Sequence, residues 1–183
     1  MRVAVIAGVD LKKEDGATVH VRNLLRALES AGIETSIITS ENNKSKAKLI
    51  GWALKAPFQI KKGTDAVIVR FDYALPIIML TRLRGFKTFL SLAALKQQEC
   101  RPLLKPVVKT IEDLSISASN GVATISPQLK EYSEKHGAQK VLLYPLCIDY
   151  LALSKARRSR PGKNFTLGYI GTSGKWQGLD LLI

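Results

Sequence analysis

Two histidines are the first residues to weigh, because imidazole is the side chain that most readily changes charge near neutral pH. His20 falls in the first turn of an expected helix, at the edge of its apolar arc. It reads either as a half-buried, hydrogen-bonded core residue or as a donor facing the mouth of a sheet. His136 stands beside Gly137, where a helix should end and where a cation suits the helix C-terminus. Glu112 and Asp113 are adjacent carboxylates on a helix and read as a solvated face. Cys100 and Cys147 supply neither a disulfide framework nor a four-ligand zinc site, and no His, Cys or carboxylate group has metal-ligand spacing. There is no Gly-x-Ser-x-Gly, so a serine hydrolase is unsupported.

The loop from Gly8 to Thr18 is the one candidate for anion binding by backbone. Gly16, followed by Ala17, can take φ > 0 and let N–H groups approach a phosphate at a helix start. The loop is neither G-x-G-x-x-G nor a P-loop.

Charge is the other chemical signal. The chain of 183 residues carries 28 Lys+Arg against 15 Asp+Glu, a net charge of +13. The excess is local. Residues 44–63 are +6, 82–109 are +6 and 155–163 are +5, so the remainder sums to −4. The first stretch interleaves Lys46, Lys48, Lys55, Lys61 and Lys62 with Trp52 and other apolar residues, the pattern of an interfacial element on anionic lipid. An ordinary solvated loop is the alternative. Nucleic acid is disfavoured as the polyanion, since aromatic residues are 7% and no basic-aromatic platform or recognised motif is present.

The elements that must position these residues alternate strand and helix. Strands are expected at 2–7, 33–39, 66–71, 88–92, 122–125 and 140–144. Helices are expected at 17–31, at 75–83, over about 20 residues ending near Asn120-Gly121, and from Ser126-Pro127 to Gly137. In the first of these, Val21, Leu24, Leu25 and Leu28 share one face. This alternation predicts a doubly wound, Rossmann-like α/β fold with a parallel sheet. Residues 1–153 form the expected domain, 154–163 a basic linker, and 164–183 a strand, glycine loop and helix start opening a second domain. The first apolar run is too short for a signal peptide, and no run approaches a membrane span. The expected location is the cytoplasm, peripheral at the inner membrane face.

Three stretches, in order, resemble the retaining GT-B glycosyltransferases of the sucrose and glycogen synthase group. They are the opening strand and glycine loop with the run from Gly16 to Thr39, the run from Ala118 to Tyr132 followed by Lys140 to Asp149, and the run from Leu167 to Ile183. The resemblance implies the N-terminal, acceptor-side half of a GT-B architecture plus the first strand of the donor-binding half. It implies hexose transfer from a nucleotide-diphosphate sugar to a glycan or lipid-linked acceptor, with no tightly bound cofactor and no metal. It assigns Gly16, Ala17 and His20 to an acceptor- and diphosphate-facing loop. Gly171, Thr172, Lys175, Gln177 and Gly178 become the remnant of the donor side. The usual Gly-Arg is Gly171-Thr172 here, and Gln177 replaces a common Lys, which leaves Lys175 for the pyrophosphate. The family's paired glutamates lie in a half that these 183 residues do not contain, so the catalytic residues are unassigned and the chain alone is expected to be inactive without a separate donor domain. Two other readings compete: a non-enzymatic lipid- or glycan-binding partner subunit, and a Rossmann-type nucleotide-binding protein that lacks the fingerprint.

Overall fold

The β-branched runs form strands and the amphipathic stretches form helices, in strict alternation. The computed structural model describes residues 1–13, 15–40 and 45–144. The chain divides into two units, Met1–Cys147 and Ile148–Ile183, and every described residue belongs to the first. The expected linker and second-domain start, with Gly171, Thr172, Lys175, Gln177 and Gly178, lie outside the described residues.

The strands are β1 (Arg2–Ala7), β2 (Glu34–Thr39), β3 (Ala66–Arg70), β4 (Lys87–Leu92), β5 (Gly121–Thr124) and β6 (Val141–Leu143). The helices are α1 (Gly16–Ser30), α2 (Lys46–Lys55), α3 (Leu75–Leu83), α4 (Lys105–Ala118) and α5 (Pro127–Lys135). All strands are parallel, in the order β2-β1-β3-β4-β5-β6. The doubly wound, Rossmann-like fold class is therefore the one observed.

Strand order fixes which face each helix covers. The β1-to-β2 connection runs one way along the sheet and every later connection runs the other way. Right-handed crossovers then put α1 on one face and α2 to α5 on the opposite face. Burial agrees. Ala4, Ile6, Val67, Val69, Leu90, Leu92 and Val122 point toward the four-helix face and form one core with Ala53, Ile77, Ile78 and Ile116. Their strand neighbours Ile68, Phe89 and Ala123 point the other way and are only half-buried. Each fully buried aliphatic side chain in the larger core is worth about 1.5–3 kcal/mol.

Three local differences from the sequence reading have physical causes. Residues 46–55 form a helix, α2, because Ser45 caps it by accepting the Lys48 N–H at 3.3 Å. The helix expected over about 20 residues is 14 long, because Pro106 is tolerated only in a first turn. Short 3₁₀ turns at Lys96–Gln98 and Pro102–Leu104 precede it. Gly32 and Gly137 end their helices with φ of +72° and +85°, as expected.

Candidate functional site

A parallel sheet binds ligands beyond the carboxyl ends of its strands, where neighbouring connections diverge. Here that point lies between β1 and β3, and a crevice of about 270 Å³ opens there. Its walls come from Gly8 and Val9 after β1, Arg70 to Tyr73 at the end of β3, Ser91 to Ala94 at the end of β4, and Glu112 of α4. Gly8 belongs here for a steric reason. A Cβ on it would stand 2.3 Å from the Phe71 ring, which lies across the strand end.

Arg70 is the last residue of β3 and shares the α1-side face with Ile68. Its guanidinium is partly buried, and its buried Nη1 has no hydrogen-bond partner. Burial lowers its pKa, while nearby Tyr144 and Asp72 act in the opposite direction. One strand over, Ser91 is 6% exposed. Its Oγ lies 2.8 Å from the hydroxyl of Tyr144, which lies 2.7 Å from Nε2 of His20. Tyr144 follows β6, two strands away from β4, roughly 9–10 Å at normal strand spacing. Its ring can reach Ser91 because β5 presents only Gly121 and Ala123 on that face. The hydroxyl donates to one neighbour and accepts from the other, so Ser91, Tyr144 and His20 form one hydrogen-bonded chain.

His20 is 8% exposed and hydrogen-bonded to the Tyr144 hydroxyl, as the buried, hydrogen-bonded alternative expects. Burial, and then the positive charge of Arg70, push its pKa down to about 4. It is neutral at pH 7, so it orients hydroxyl groups and does not act as a cation. Burial also raises the Tyr144 pKa, keeping the phenol protonated.

Gly16 is the first residue of α1 and is exposed. It is not among the positive-φ glycines, so the expected left-handed turn is absent. The helix start is instead capped by Asp15, which accepts the Thr18 N–H at 2.8 Å and whose pKa is lowered chiefly by that bond. A carboxylate thus occupies the place a phosphate would take. Ala17, one turn before His20, lines the crevice.

Glu112 corrects the solvated-face reading. It is 5% exposed and accepts the backbone N–H groups of Lys96 and Gln97, the latter at 3.3 Å. Burial raises its pKa against those two bonds. Both oxygens are engaged in holding the Lys96–Gln98 turn, so Glu112 anchors the rim of the crevice. Lys96 pairs with Asp72 at 3.3 Å and Glu99 at 2.7 Å. Asp113 instead accepts from Lys109 at 2.5 Å and Tyr132 at 2.6 Å, and His136 stacks on Tyr132. These groups tie α4 to α5.

The lysine-rich segment divides by face. Trp52 turns inward, its ring 5.6 Å from Phe71 and edge-on, so the interfacial role expected of it is corrected. The exposed apolar residues are Ile50, Leu54 and Phe58, one helical turn apart, with exposed Lys48, Lys55, Lys61 and Lys62 around them. Lys46 lies in the first turn of α2.

Among the described residues no group of three or more His, Cys, Asp or Glu is placed to hold a metal ion, and no helix is long and apolar enough to cross a membrane. The fold and the crevice define a Rossmann-like parallel α/β domain with a polar pocket at its carboxyl edge, lined by Arg70, Lys96, Asp72, Glu112 and Ser91. Compared with protein-family models and with curated proteins, the chain matches none.

Proposed function

We propose that this chain is the acceptor-side domain of a nucleotide-sugar-dependent hexosyltransferase, acting on a glycan or lipid-linked acceptor together with a donor-binding α/β domain. The observation that carries the reading is the carboxyl-edge crevice between β1 and β3, flanked by Arg70 and by the Ser91–Tyr144–His20 hydrogen-bonded chain. Neutral imidazole and hydroxyl groups suit a polyhydroxylated acceptor, because each can donate or accept without a charge penalty. A histidine with a pKa of about 4 is a weak base at pH 7, and Glu112 is committed to backbone N–H groups. This domain therefore positions the acceptor, and the donor domain stabilises the departing diphosphate.

The test is a transfer assay with radiolabelled nucleotide hexoses and lipid-linked acceptors, on the chain alone and with a donor domain supplied. Transfer that needs the second domain supports the proposal. Robust transfer by the 183 residues alone refutes the division of labour.

Membrane attachment is proposed through Ile50, Leu54 and Phe58 with the surrounding lysines. Co-sedimentation with vesicles should require anionic lipid and weaken with salt, and indifference to lipid charge refutes it. The same stripe favours the second reading, a non-enzymatic lipid- or glycan-binding subunit. Stable acceptor binding with no transfer, even when donor domains are supplied, would select it.

A further inference from the structure

We infer that Arg70, with Ser91 beside it, forms a phosphoryl-binding subsite at the carboxyl end of the α1-side face. The ligand class is a phosphate monoester or diphosphate carried by the acceptor.

Arg70 is the starting point. A buried guanidinium nitrogen without a partner is costly, and native proteins rarely leave one. The sequence could have ended β3 with an apolar residue, since Ala66 and Ile68 occupy the same face. The neighbouring charges have their own partners. Lys96 is held by Asp72 and Glu99, and the Glu112 oxygens are held by backbone N–H groups. Asp72 is exposed and turned toward Lys96. Among the described residues, no side chain forms an ion pair with Arg70.

The surroundings fit a phosphoryl group. Arginine binds phosphate through a planar fork of N–H donors. Ser91 lines the same crevice and can donate a hydroxyl hydrogen bond to an anion. Its oxygen is already positioned by Tyr144 at 2.8 Å. His20 stays neutral and completes the chain without competing charge. The crevice also meets an apolar trough of about 610 Å³ on the α1-side face, and Leu90 and Ser91 line both. A phosphoryl group at Arg70 therefore stands where a polar pocket adjoins an apolar one.

Assigning this phosphoryl group to an acceptor rests on the acceptor-side reading, but its binding does not. Phosphate binding without any transfer would keep the subsite and discard that reading.

The test follows the imidazole proton resonances of His20 and His136 by NMR in the full 183-residue chain. Inorganic phosphate, a hexose 1-phosphate and a short-chain prenyl phosphate are added in turn, with chloride holding ionic strength constant. Saturable movement of the His20 resonance by at least one probe is expected. His136, on the opposite side of the sheet, should not move. Arg70→Met should weaken that binding about tenfold or more. Arg70→Lys should weaken it less, because the charge remains and the fork is lost. Ser91→Ala gives an independent loss if Arg70→Met fails to fold. Tightest binding of the hexose phosphate assigns the subsite to a soluble phosphosugar, and tightest binding of the prenyl phosphate to a lipid carrier. The inference is overturned if no probe moves His20 saturably, if chloride acts equally, or if both Arg70→Met and Ser91→Ala bind like the wild type.

Discussion

The two faces of the sheet are made by the same strands and have different tasks. On one face four helices bury Ile6, Val67, Val69, Ile77 and Ile78 completely. Buried hydroxyls there pair with one another, as in the Thr88–Thr81 pair at 2.9 Å. On the other face α1 is the one helix among the described residues. Ile68 and Phe89 floor a trough there, and the carboxyl end holds Arg70, Ser91, Tyr144 and His20. The difference teaches that alternation along each strand separates stability from recognition. Val69 and Arg70 are neighbours in sequence, yet one packs the core and the other faces the crevice.

Substitutions that cross this divide should show the largest effect. Ile77→Ala, in the four-helix core, should lower the unfolding free energy by about 2–5 kcal/mol. Ile68→Ala, on the half-buried face, should cost well under half as much. Urea denaturation of both variants checks this, and equal losses would break the comparison.

The pH dependence comes next and belongs to the α1 side. His20 titrates near 4 when folded, against about 6.5 in an unfolded chain. Between those values the unfolded state binds more protons, so stability rises with pH through the window and is lost as pH falls. The full effect is about 3 kcal/mol. Glu112, with its raised pKa, acts with the opposite sign over a window starting near its unfolded value. His20→Gln should therefore flatten the acid-side loss seen by thermal unfolding. An unchanged acid limb would show that His20 does not control it.

The cap of α1 sharpens the same contrast. Asp15→Ala should cost about 1 kcal/mol by removing the bond to the Thr18 N–H. Added phosphate should not restore that stability if the helix start is a structural cap and not a ligand site. Recovery in a phosphate-dependent melting curve would reopen it as an anion site.

The smallest effect falls on the outer surface of the four-helix face. Replacing Lys48 or Lys55 singly with Gln should weaken binding to anionic vesicles by at most about 1 kcal/mol, and less at high salt. Trp52→Phe should leave vesicle binding unchanged, because Trp52 packs inward on Phe71. Co-sedimentation across a salt series distinguishes these outcomes.

Much of the fold was readable in the residues. The β-branched runs and helix stops located all six strands and four of the five helices. Helix α2 was obscured because Lys-rich sequence with Gly51 inside it looks like a solvated loop. Of the site, only His20 and the loop before it were marked by type and position. Arg70 falls inside the strand expected at 66–71 and carries no motif that marks it. The useful signal was period-2 alternation in Ala66–Arg70, which places Arg70 on the face of Ala66 and Ile68 and at the strand's carboxyl end. Ser91 and Tyr144 meet across 53 positions of sequence, and strand order, not spacing, brings them together. Glu112 beside Asp113 mimicked an exposed acidic face, and its burial depends on the turn packed against α4.

The most direct test of the acceptor-side account is calorimetric titration of the 183-residue chain with two ligand sets: phosphorylated glycan or prenyl acceptors, and nucleotide sugars. The account predicts saturable acceptor binding that Arg70→Met abolishes or weakens about tenfold, with no comparable binding of nucleotide sugars. Tight nucleotide-sugar binding, with acceptors that do not bind, would contradict it.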